Sequence, residues 1–431
     1  MEQDDAAEPH ELPGYSERTP PTSTLSDETY SLENGKGQAW LSLTVRSRTK
    51  GAKRILLHSG DVLLGTVELD FDKQDGVKAV SIMADGGVTP VGQEEARFLH
   101  ITQDLWDSKA SGGEKGMVSW SFTITFPNEV TLPESLKGKQ AAHMYPLPPS
   151  FSERASPIYI DYKLVVTVRR GLFKVNHTLA VPIVYVQLSR ADPPSPLRQV
   201  AYTEGTAIIG PDGDPEGWKT LSPVKIIGTL FKTRQIELQC TLSIAMPVTY
   251  AKGSPIPLFL TLASEDEHAL DILSAPTAAR LYLIRVRTLG SHATDEAALE
   301  RSDSVFRESV GQAYFWVTAE TAPEPGKRTL QGEVRVKPSV KPSFTFPQFT
   351  LRYQLALLPF QAPGFVSSGA ANEHLLTEKV IITTLNAPGI IPRSYAPPGY
   401  VAPEETDYNA TVGFLENGNQ RFLHHTGEGV S

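Results

Sequence analysis

The chain has 431 residues, with 40 Lys and Arg against 49 Asp and Glu, a formal net charge of −9 and a single cysteine. This length predicts two or three domains, each large enough to bury a hydrophobic core. One cysteine excludes a disulfide framework and a cysteine-rich zinc module. The acidic balance argues against a nucleic-acid binder, and no run approaches the ~20 apolar residues that span a bilayer. We therefore expect a soluble intracellular protein without a signal peptide.

The two ends differ from the rest of the chain in composition. Residues 1–33 contain nine acidic residues and one basic residue, and residues 389–431 contain five acidic and two basic residues. Both segments are rich in polar residues and lack the apolar periodicity of a helix or a strand. We therefore predict disordered tails over residues 1–36 and 389–431.

Between the tails, apolar and polar residues alternate along several runs. A period of two places one side of a strand against a core and leaves the other side in water, as in antiparallel sheets. The β-branched and aromatic residues in these runs agree with that prediction. The residues predicted to face inward in the first half are Leu41, Leu43 and Val45; Val118, Trp120, Phe122, Ile124 and Phe126; and Ile158, Ile160, Tyr162, Leu164, Val166 and Val168.

A stretch rich in proline and glycine interrupts the alternation. Residues 189–219 contain five prolines and predict an interdomain linker. Alternation resumes from Ile236 to Ile244 and in several later runs, and only Asp295 to Ser309 has a weakly helical pattern. The predicted fold class is all-β, with two tandem antiparallel β-sandwiches of the immunoglobulin-like type over residues 37–188 and 220–388.

Motifs that carry catalytic or metal chemistry are absent from the sequence. It contains no G-x-S-x-G, no phosphate-binding loop and no H-E-x-x-H. Cys240 falls on the inward side of a predicted strand, which favours a buried, unreactive thiol. Glu265 to Glu267 lacks the ligand spacing of a calcium loop and is interpreted as a solvated turn. We expect no metal site, no cofactor and no catalytic residue.

The motif that does carry information is Pro397-Pro398-Gly399-Tyr400, which has the form PPxY. Successive prolines hold the backbone near polyproline II before a partner arrives, which reduces the entropy lost on binding. WW domains bind such segments in an aromatic groove, and Pro397, Pro398 and Tyr400 are the expected contacts. From the proline and tyrosine content alone, roughly 0.09 PPxY motifs are expected by chance in a chain of this length, so the single match is informative.

The first tail contains a weaker version of the motif, Leu12-Pro13-Gly14-Tyr15. Taken alone, it is interpreted as a turn. Taken with the second motif, it becomes an accessory site in which Leu12, Pro13 and Tyr15 are the expected contacts. Two modest sites on one chain can raise the avidity for a partner with several WW domains by ~10²–10⁴.

A basic cluster lies near the start of the first predicted sandwich. Its cations could contact acidic cytoplasmic loops or anionic lipid head groups, each worth roughly 1 kcal/mol near a membrane. A solvated strand edge that resists aggregation explains the same residues equally well. The cluster consists of Arg46, Arg48, Lys50, Lys53 and Arg54.

Three segments resemble the arrestin family. The run from Ser156 to Val186 is similar to the end of an arrestin N-terminal domain, and His58 to Asp70 is similar to its early strand pair, with Gly60 and Gly65 in tight turns. Phe122 to Leu136 resembles the segment in which a phenylalanine-rich strand leads into a proline. The second half resembles an arrestin C-terminal domain. Together with PPxY, these segments resemble the alpha-arrestins, and among them the fungal arrestin-related trafficking adaptors.

This resemblance implies a non-catalytic adaptor. Such proteins bind cytoplasmic segments of transporters or receptors and recruit a HECT-type ubiquitin ligase through its WW domains, so that the cargo is ubiquitinated and internalised. The implied location is the cytoplasm, with recruitment to the plasma membrane or endosomes, and nucleic acid is not an expected partner. The alternative is a retromer-type cargo-sorting subunit, also arrestin-shaped, which does not recruit a ligase. A β-sandwich enzyme is a third hypothesis, and it requires clustered titratable groups in a cleft.

Overall fold

The computed structural model describes residues 25–48, 54–136, 139–153, 156–171, 174–290, 293–295, 305–317, 324–371 and 373–398. Strands dominate this part of the chain and helices are few and short, which confirms the predicted all-β class. None of the helices in these ranges is long and apolar enough to cross a membrane. The strands of the first half are β1 (Ser26–Glu33), β2 (Ala39–Ser47), β3 (Ile55–His58), β4 (Val62–Asp70), β5 (Val77–Pro90), β6 (Ala96–Asp107), β7 (Met117–Thr125), β8 (Glu129–Leu136), β9 (Lys139–Pro146), β10 (Ile158–Arg170) and β11 (His177–Val186).

The first half contains two main sheets. One has the strand order β1-β2-β4-β7 and the other has the order β3-β11-β10-β5-β6, while β8 and β9 form a separate hairpin. All of these pairings are antiparallel except that of β3 with β11. The apolar side chains of both sheets contribute to one continuous hydrophobic core. A short helix, α1 (Ser108–Ser111), connects β6 to β7.

The period-two pattern of β10 is confirmed along its length. Ile158, Ile160, Tyr162, Leu164, Val166 and Val168 are all buried, and the residues between them are more exposed. Strand β10 pairs with β5 on one side and with β11 on the other. A shift of one residue in either pairing would turn its apolar side chains away from the core, so burial fixes the register. In β7 the inward residues Phe122 and Ile124 are buried, and Phe126 just after it is buried too.

The two glycines expected in turns have different roles. Gly60 has φ +87° and lies in the turn between β3 and β4, as predicted. Gly65 lies in the middle of β4, so its predicted turn is wrong. A Cβ at this position would lie 2.2 Å from the carbonyl oxygen of Thr44 and 2.7 Å from the ring of Phe122. Gly65 is therefore required by the close approach of a phenylalanine ring and a neighbouring strand.

The second half begins after a segment that includes the helix α2 (Pro196–Glu204) and a single 3₁₀ turn (Pro215–Gly217). Another short helix, α3 (Glu267–Leu273), connects two of its strands. The strands are β12 (Trp218–Thr220), β13 (Val224–Leu230), β14 (Arg234–Ala245), β15 (Thr249–Ala251), β16 (Pro255–Ala263), β17 (Arg280–Gly290), β18 (Val305–Trp316), β19 (Lys327–Arg335), β20 (Phe344–Phe346), β21 (Gln348–Leu358), β22 (Phe365–Ser367) and β23 (Leu376–Thr383).

Ten of these strands follow the order β15-β23-β21-β17-β18-β19-β16-β14-β13-β22 in one curled sheet, in which β12 also pairs with β14 and β20 with β21. Strand β18 is the link between its two layers, because residues 305–312 pair with β17 and residues 313–316 pair with β19. A bulge between Leu283 and Ile284 accompanies this change of partner. The sheet therefore passes from one layer of the sandwich to the other without a break.

The structure differs from the sequence prediction at three boundaries. Strand β1 lies inside the predicted first tail, and its Tyr30 and Leu32 pack on the core. The predicted linker contains a nine-residue helix. Val305 to Ser309 belongs to β18, so that part of the weak helix prediction is wrong, because pairing with β17 overrides a marginal local pattern.

Candidate functional site

The chain after β23 does not leave the body at once. We name residues 384–396 the strap. Its start runs beside the beginning of the linker, where Arg190 and Leu385 form a parallel bridge and the Ala191 N–H donates to the Leu385 carbonyl at 2.9 Å. The Ser254 hydroxyl donates to the Asn386 side chain at 2.9 Å, and Ala387 is buried. The segment that leads into the predicted tail therefore packs on the second sandwich.

The main anchor of the strap is Glu333 on β19, a carboxylate residue that is only 7% exposed. The Ser394 hydroxyl donates to one of its oxygens, and the Tyr395 N–H donates to the other at 3.1 Å. Ser394 Oγ also accepts from the Ala396 N–H at 3.3 Å. The strap thus supplies a hydrogen bond to each oxygen of this buried carboxylate.

The second anchor is the ring of Tyr395, which lies 6.1 Å from the ring of Tyr202 on α2. Burial raises the pKa of Tyr395. Its hydroxyl oxygen is buried and has no hydrogen-bond partner within the described residues. The Arg393 guanidinium lies beside Gly205, the residue that caps the end of α2. A cation is favourable there, since the helix C-terminus carries partial negative charge.

Helix α2 is itself held rigidly against the second sandwich. Ser195 caps its first turn by accepting from the Arg198 N–H, Pro196 starts it, and Gly205 ends it in the left-handed region at φ 74°. Arg198 is 2% exposed, and its guanidinium stacks 4.5 Å above the ring of Trp218 and donates to the Gly217 carbonyl at 2.6 Å. The helix therefore offers a fixed platform for the strap.

The PPxY motif follows the strap directly. Pro397 and Pro398 are both exposed, and they come two residues after the anchored Tyr395. Tyr400 lies outside the described residues, as do all three contacts of the accessory motif, Leu12, Pro13 and Tyr15. The proline pair is therefore exposed immediately after the residues that contact Glu333.

Two members of the basic cluster, Arg46 and Arg48, are paired with carboxylates. The Arg48 guanidinium donates to both oxygens of Asp61, at 2.6 and 2.8 Å, and this pair lowers the pKa of Asp61. Arg46 lies 3.4 Å from Asp27 at an exposed site. Arg54 is exposed, and the predicted members Lys50 and Lys53 lie outside the described residues. Arg48 is thus occupied by Asp61, which lies in the turn between β3 and β4. Arg46 is exposed and remains accessible to a partner.

An aromatic joint connects the two halves of the molecule. The ring centroid of Phe151 lies 4.7 Å from that of Phe349, and Phe98 lies 4.9 Å from Phe346, both edge-to-face. Such pairs add to the hydrophobic gain of burial. The rings of the joint are Phe98, Tyr145 and Phe151 from the first half, and Phe344, Phe346 and Phe349 from the second.

A charge cluster lies at the same boundary. Arg285 on β17 contacts Glu153 of the first half at 2.9 Å and Glu308 on β18 at 2.6 Å, and Arg287 lies within 4.0 Å of Glu153. Burial opposes the charge of Arg285, but Glu308 and Glu153 more than offset it and raise its pKa. Burial and the charge of Arg285 lower the pKa of Arg287. With the aromatic joint, this neutral cluster fixes the two sandwiches to each other.

A second group of titratable residues lies on β5 and β6. His100 Nδ1 lies 2.6 Å from Asp85, and His100 Nε2 lies 3.1 Å from the Thr102 hydroxyl. This order resembles a carboxylate–imidazole–hydroxyl relay, but His100 and Thr102 lie on the open side of the edge strand β6. Nucleophilic catalysis needs a water-excluding site with oxyanion donors, which an open sheet surface does not offer.

The other candidate reactive groups have structural roles. Cys240 is buried, and burial raises the pKa of its thiol to about 12. Asp266 caps α3 by accepting from the Ala269 N–H at 3.0 Å, and Glu267 pairs with Arg328 at 2.7 Å, so the predicted solvated turn is a helix start. Within the described ranges, no three His, Cys, Asp or Glu side chains are grouped to hold a metal ion.

Sequence reasoning missed the residues that anchor the strap. Glu333 alternates with the buried Val334, a pattern that predicts a side chain facing water. Tyr202 falls in a stretch interpreted as linker. The sequence does contain a signal for helix α2, because Ser195-Pro196 and Gly205 are typical residues for the start and the end of a short helix.

Comparisons with protein-family models and with curated proteins give no match to this chain.

Proposed function

We propose that the protein is an alpha-arrestin-type adaptor, which recruits a WW-domain HECT-type ubiquitin ligase through Pro397, Pro398 and Tyr400. The observation that carries this proposal is the exposed proline pair directly after a strap that is anchored on a two-sandwich body. Exposed prolines close to polyproline II need little ordering to enter an aromatic groove. The strap joins the motif to the second sandwich and therefore keeps a bound ligase close to the body.

The two sandwiches form the part that holds the cargo. In the proposed mechanism they bind the cytoplasmic segment of a transporter or receptor, and the tethered ligase then transfers ubiquitin to the cargo. Tethering raises the local concentration of the ligase, so the adaptor needs no catalytic residue of its own. The aromatic joint and the charge cluster support this division of labour, because a rigid body presents one defined surface to the cargo.

Membrane recruitment is the second part of the proposal. Arg46 and Arg54 are exposed on the first sandwich, and Lys50 and Lys53 adjoin them in sequence. We assign these four cations to acidic cytoplasmic loops or anionic lipid head groups. Arg48 is less available, because Asp61 binds it in a bidentate pair. The proposed location is the cytoplasmic side of the plasma membrane or of endosomes.

The test is binding of the full chain to an isolated WW domain of a HECT-type ligase, measured by titration calorimetry. An interface tyrosine that fills a pocket is worth about 2 kcal/mol or more, so Tyr400→Ala should weaken binding roughly thirtyfold. Tyr408→Ala, a tyrosine in the same tail outside the motif, is the matched control. Tyr15→Ala should matter only when the partner is a tandem pair of WW domains, where avidity operates. Unchanged binding by the Tyr400→Ala variant would refute ligase recruitment and favour a retromer-type sorting subunit.

A further inference from the structure

We propose that Ser394 is a phosphorylation site, and that its modification releases the strap from Glu333 and makes the adjacent PPxY motif accessible to a WW domain. The inference rests on the proposed function for its second half only. Release of the strap can be measured without any WW domain.

The first step is the hydrogen bond that a phosphate would destroy. The Ser394 hydroxyl donates to the carboxylate of Glu333, a residue that is 7% exposed. Transfer of the γ-phosphoryl group of ATP by a protein kinase forms the Oγ–P bond, releases the hydroxyl proton and leaves ADP. Ser394 then has no hydrogen to donate, and a group of charge about −1.5 to −2 faces a carboxylate. Glu333 is fixed in the sheet between β16 and β18, so the strap is the part that moves.

The second step is access to the serine. Ser394 is exposed as a residue, although its hydroxyl points to Glu333. Glu333 also accepts a hydrogen bond from the Tyr395 N–H. The Tyr395 hydroxyl is buried without a partner among the described residues, which costs free energy while the strap is closed. A strap that carries such a cost opens at a lower free energy than the core strands. When the strap opens transiently, a kinase can bind the residues around Ser394 as an extended peptide.

The third step is the effect on the motif. Pro397 follows Ser394 by three residues, so its Cα lies within roughly 11 Å of the anchored serine. A WW domain has a radius of roughly 10 Å. Both prolines are exposed to water, but a domain of that size meets the second sandwich before its groove can surround them while the strap lies flat. The affinity measured for the full chain is then reduced by the fraction of molecules in which the strap is open.

A nearby group that would oppose release is Arg393. Its guanidinium lies beside Gly205 at the end of α2. A phosphate on Ser394 that paired with Arg393 would hold the strap more tightly. The proposal predicts the opposite, because the carboxylate of Glu333 is the direct partner of the modified oxygen.

The experiment compares the full chain with phosphoserine incorporated at position 394, at position 368, or at neither. Ser368 is an exposed serine of the same half and serves as the matched control. Hydrogen exchange of residues 389–398 is expected to be at least tenfold faster with phosphate at 394 and unchanged with phosphate at 368. Ser394→Ala, which removes the donor without adding charge, should give a smaller acceleration. Exchange that stays as slow as in the unmodified chain, or becomes slower through Arg393, would overturn the proposal.

Affinity for an isolated WW domain is measured on the same samples and on a synthetic peptide of residues 389–403 with and without the phosphate. The full chain should gain at least fivefold in affinity on phosphorylation, and the two peptides should bind alike. A faster-exchanging strap with unchanged full-chain affinity would overturn the link to the motif. If neither peptide binds, the proposed function fails, and hydrogen exchange alone decides whether phosphate releases the strap.

Discussion

The contact of Phe151 with Phe349 gives a direct test of how the two halves are coupled. Phe151 and Phe349 are fully buried, and their ring centroids are 4.7 Å apart at an interplanar angle of 63°. Truncation of either ring to alanine removes a large buried side chain and leaves a cavity, so each single variant should lose about 3–5 kcal/mol of unfolding free energy. The edge-to-face geometry adds a pairwise coupling of about 0.5–1.5 kcal/mol.

The assay is a double-mutant cycle in urea, with Phe151→Ala, Phe349→Ala and the double variant. The coupling is the amount by which the double variant is less destabilised than the sum of the single variants. The control cycle pairs Phe122→Ala with Phe349→Ala, because Phe122 is buried in the first sandwich and takes no part in the joint. A coupling below about 0.3 kcal/mol for Phe151 with Phe349 would refute the aromatic joint as the link between the halves.

Three further predictions concern charge, the strap and pH. Glu153→Gln leaves Arg285 with one carboxylate partner at a site where its side chain is 12% exposed, and should cost about 2 kcal/mol in urea unfolding. Tyr395→Phe removes a buried hydroxyl that has no partner in the described part of the chain, and should slow trypsin cleavage after Arg393. Burial raises the pKa of Tyr202 to about 12, so its contribution to stability is complete below about pH 10, is lost as the pH rises through about 12, and should be absent in Tyr202→Phe.

Each of these predictions has a clear contrary result. Arg46→Gln, at a pair in which both side chains are more than half exposed, is the control for Glu153→Gln and should cost less than about 0.5 kcal/mol. Equal losses in the two variants would contradict the role of the charge cluster. Faster cleavage in Tyr395→Phe would mean that the hydroxyl has a partner. An unchanged alkaline unfolding profile in Tyr202→Phe would show that its hydroxyl is hydrated in the folded protein.

The strand pattern was predictable because a single physical rule governs it. Along β10 and β14, burial follows the alternation from Ile158 to Val168 and from Ile236 to Leu242. Such strands have one apolar side, and the hydrophobic effect alone turns that side toward the core. The passage of β18 between two layers was not predictable, since the change of partner from β17 to β19 leaves no mark in the local pattern, and the residues of β18 up to Ser309 carry a weak helical pattern.

The site was predictable only in part, for a related reason. The spacing of Pro397, Pro398 and Tyr400 is a local property, and it can be found without a fold. The anchor of the strap is a pairing between Glu333 and Ser394, which are 61 positions apart. Nothing in either segment alone shows that they meet. The same holds for Glu153 and Arg285 at the boundary of the two halves.

The parallel bridge of Arg190 with Leu385 means that the second sandwich starts and finishes at one point on its surface. A unit whose ends coincide can be exchanged as a cassette, because a replacement needs to match only one attachment point rather than two distant ones. Related chains could then vary the second sandwich with little disturbance of the first. We expect chimeras cut at residues 189 and 385 to assemble when the six rings of the joint are kept.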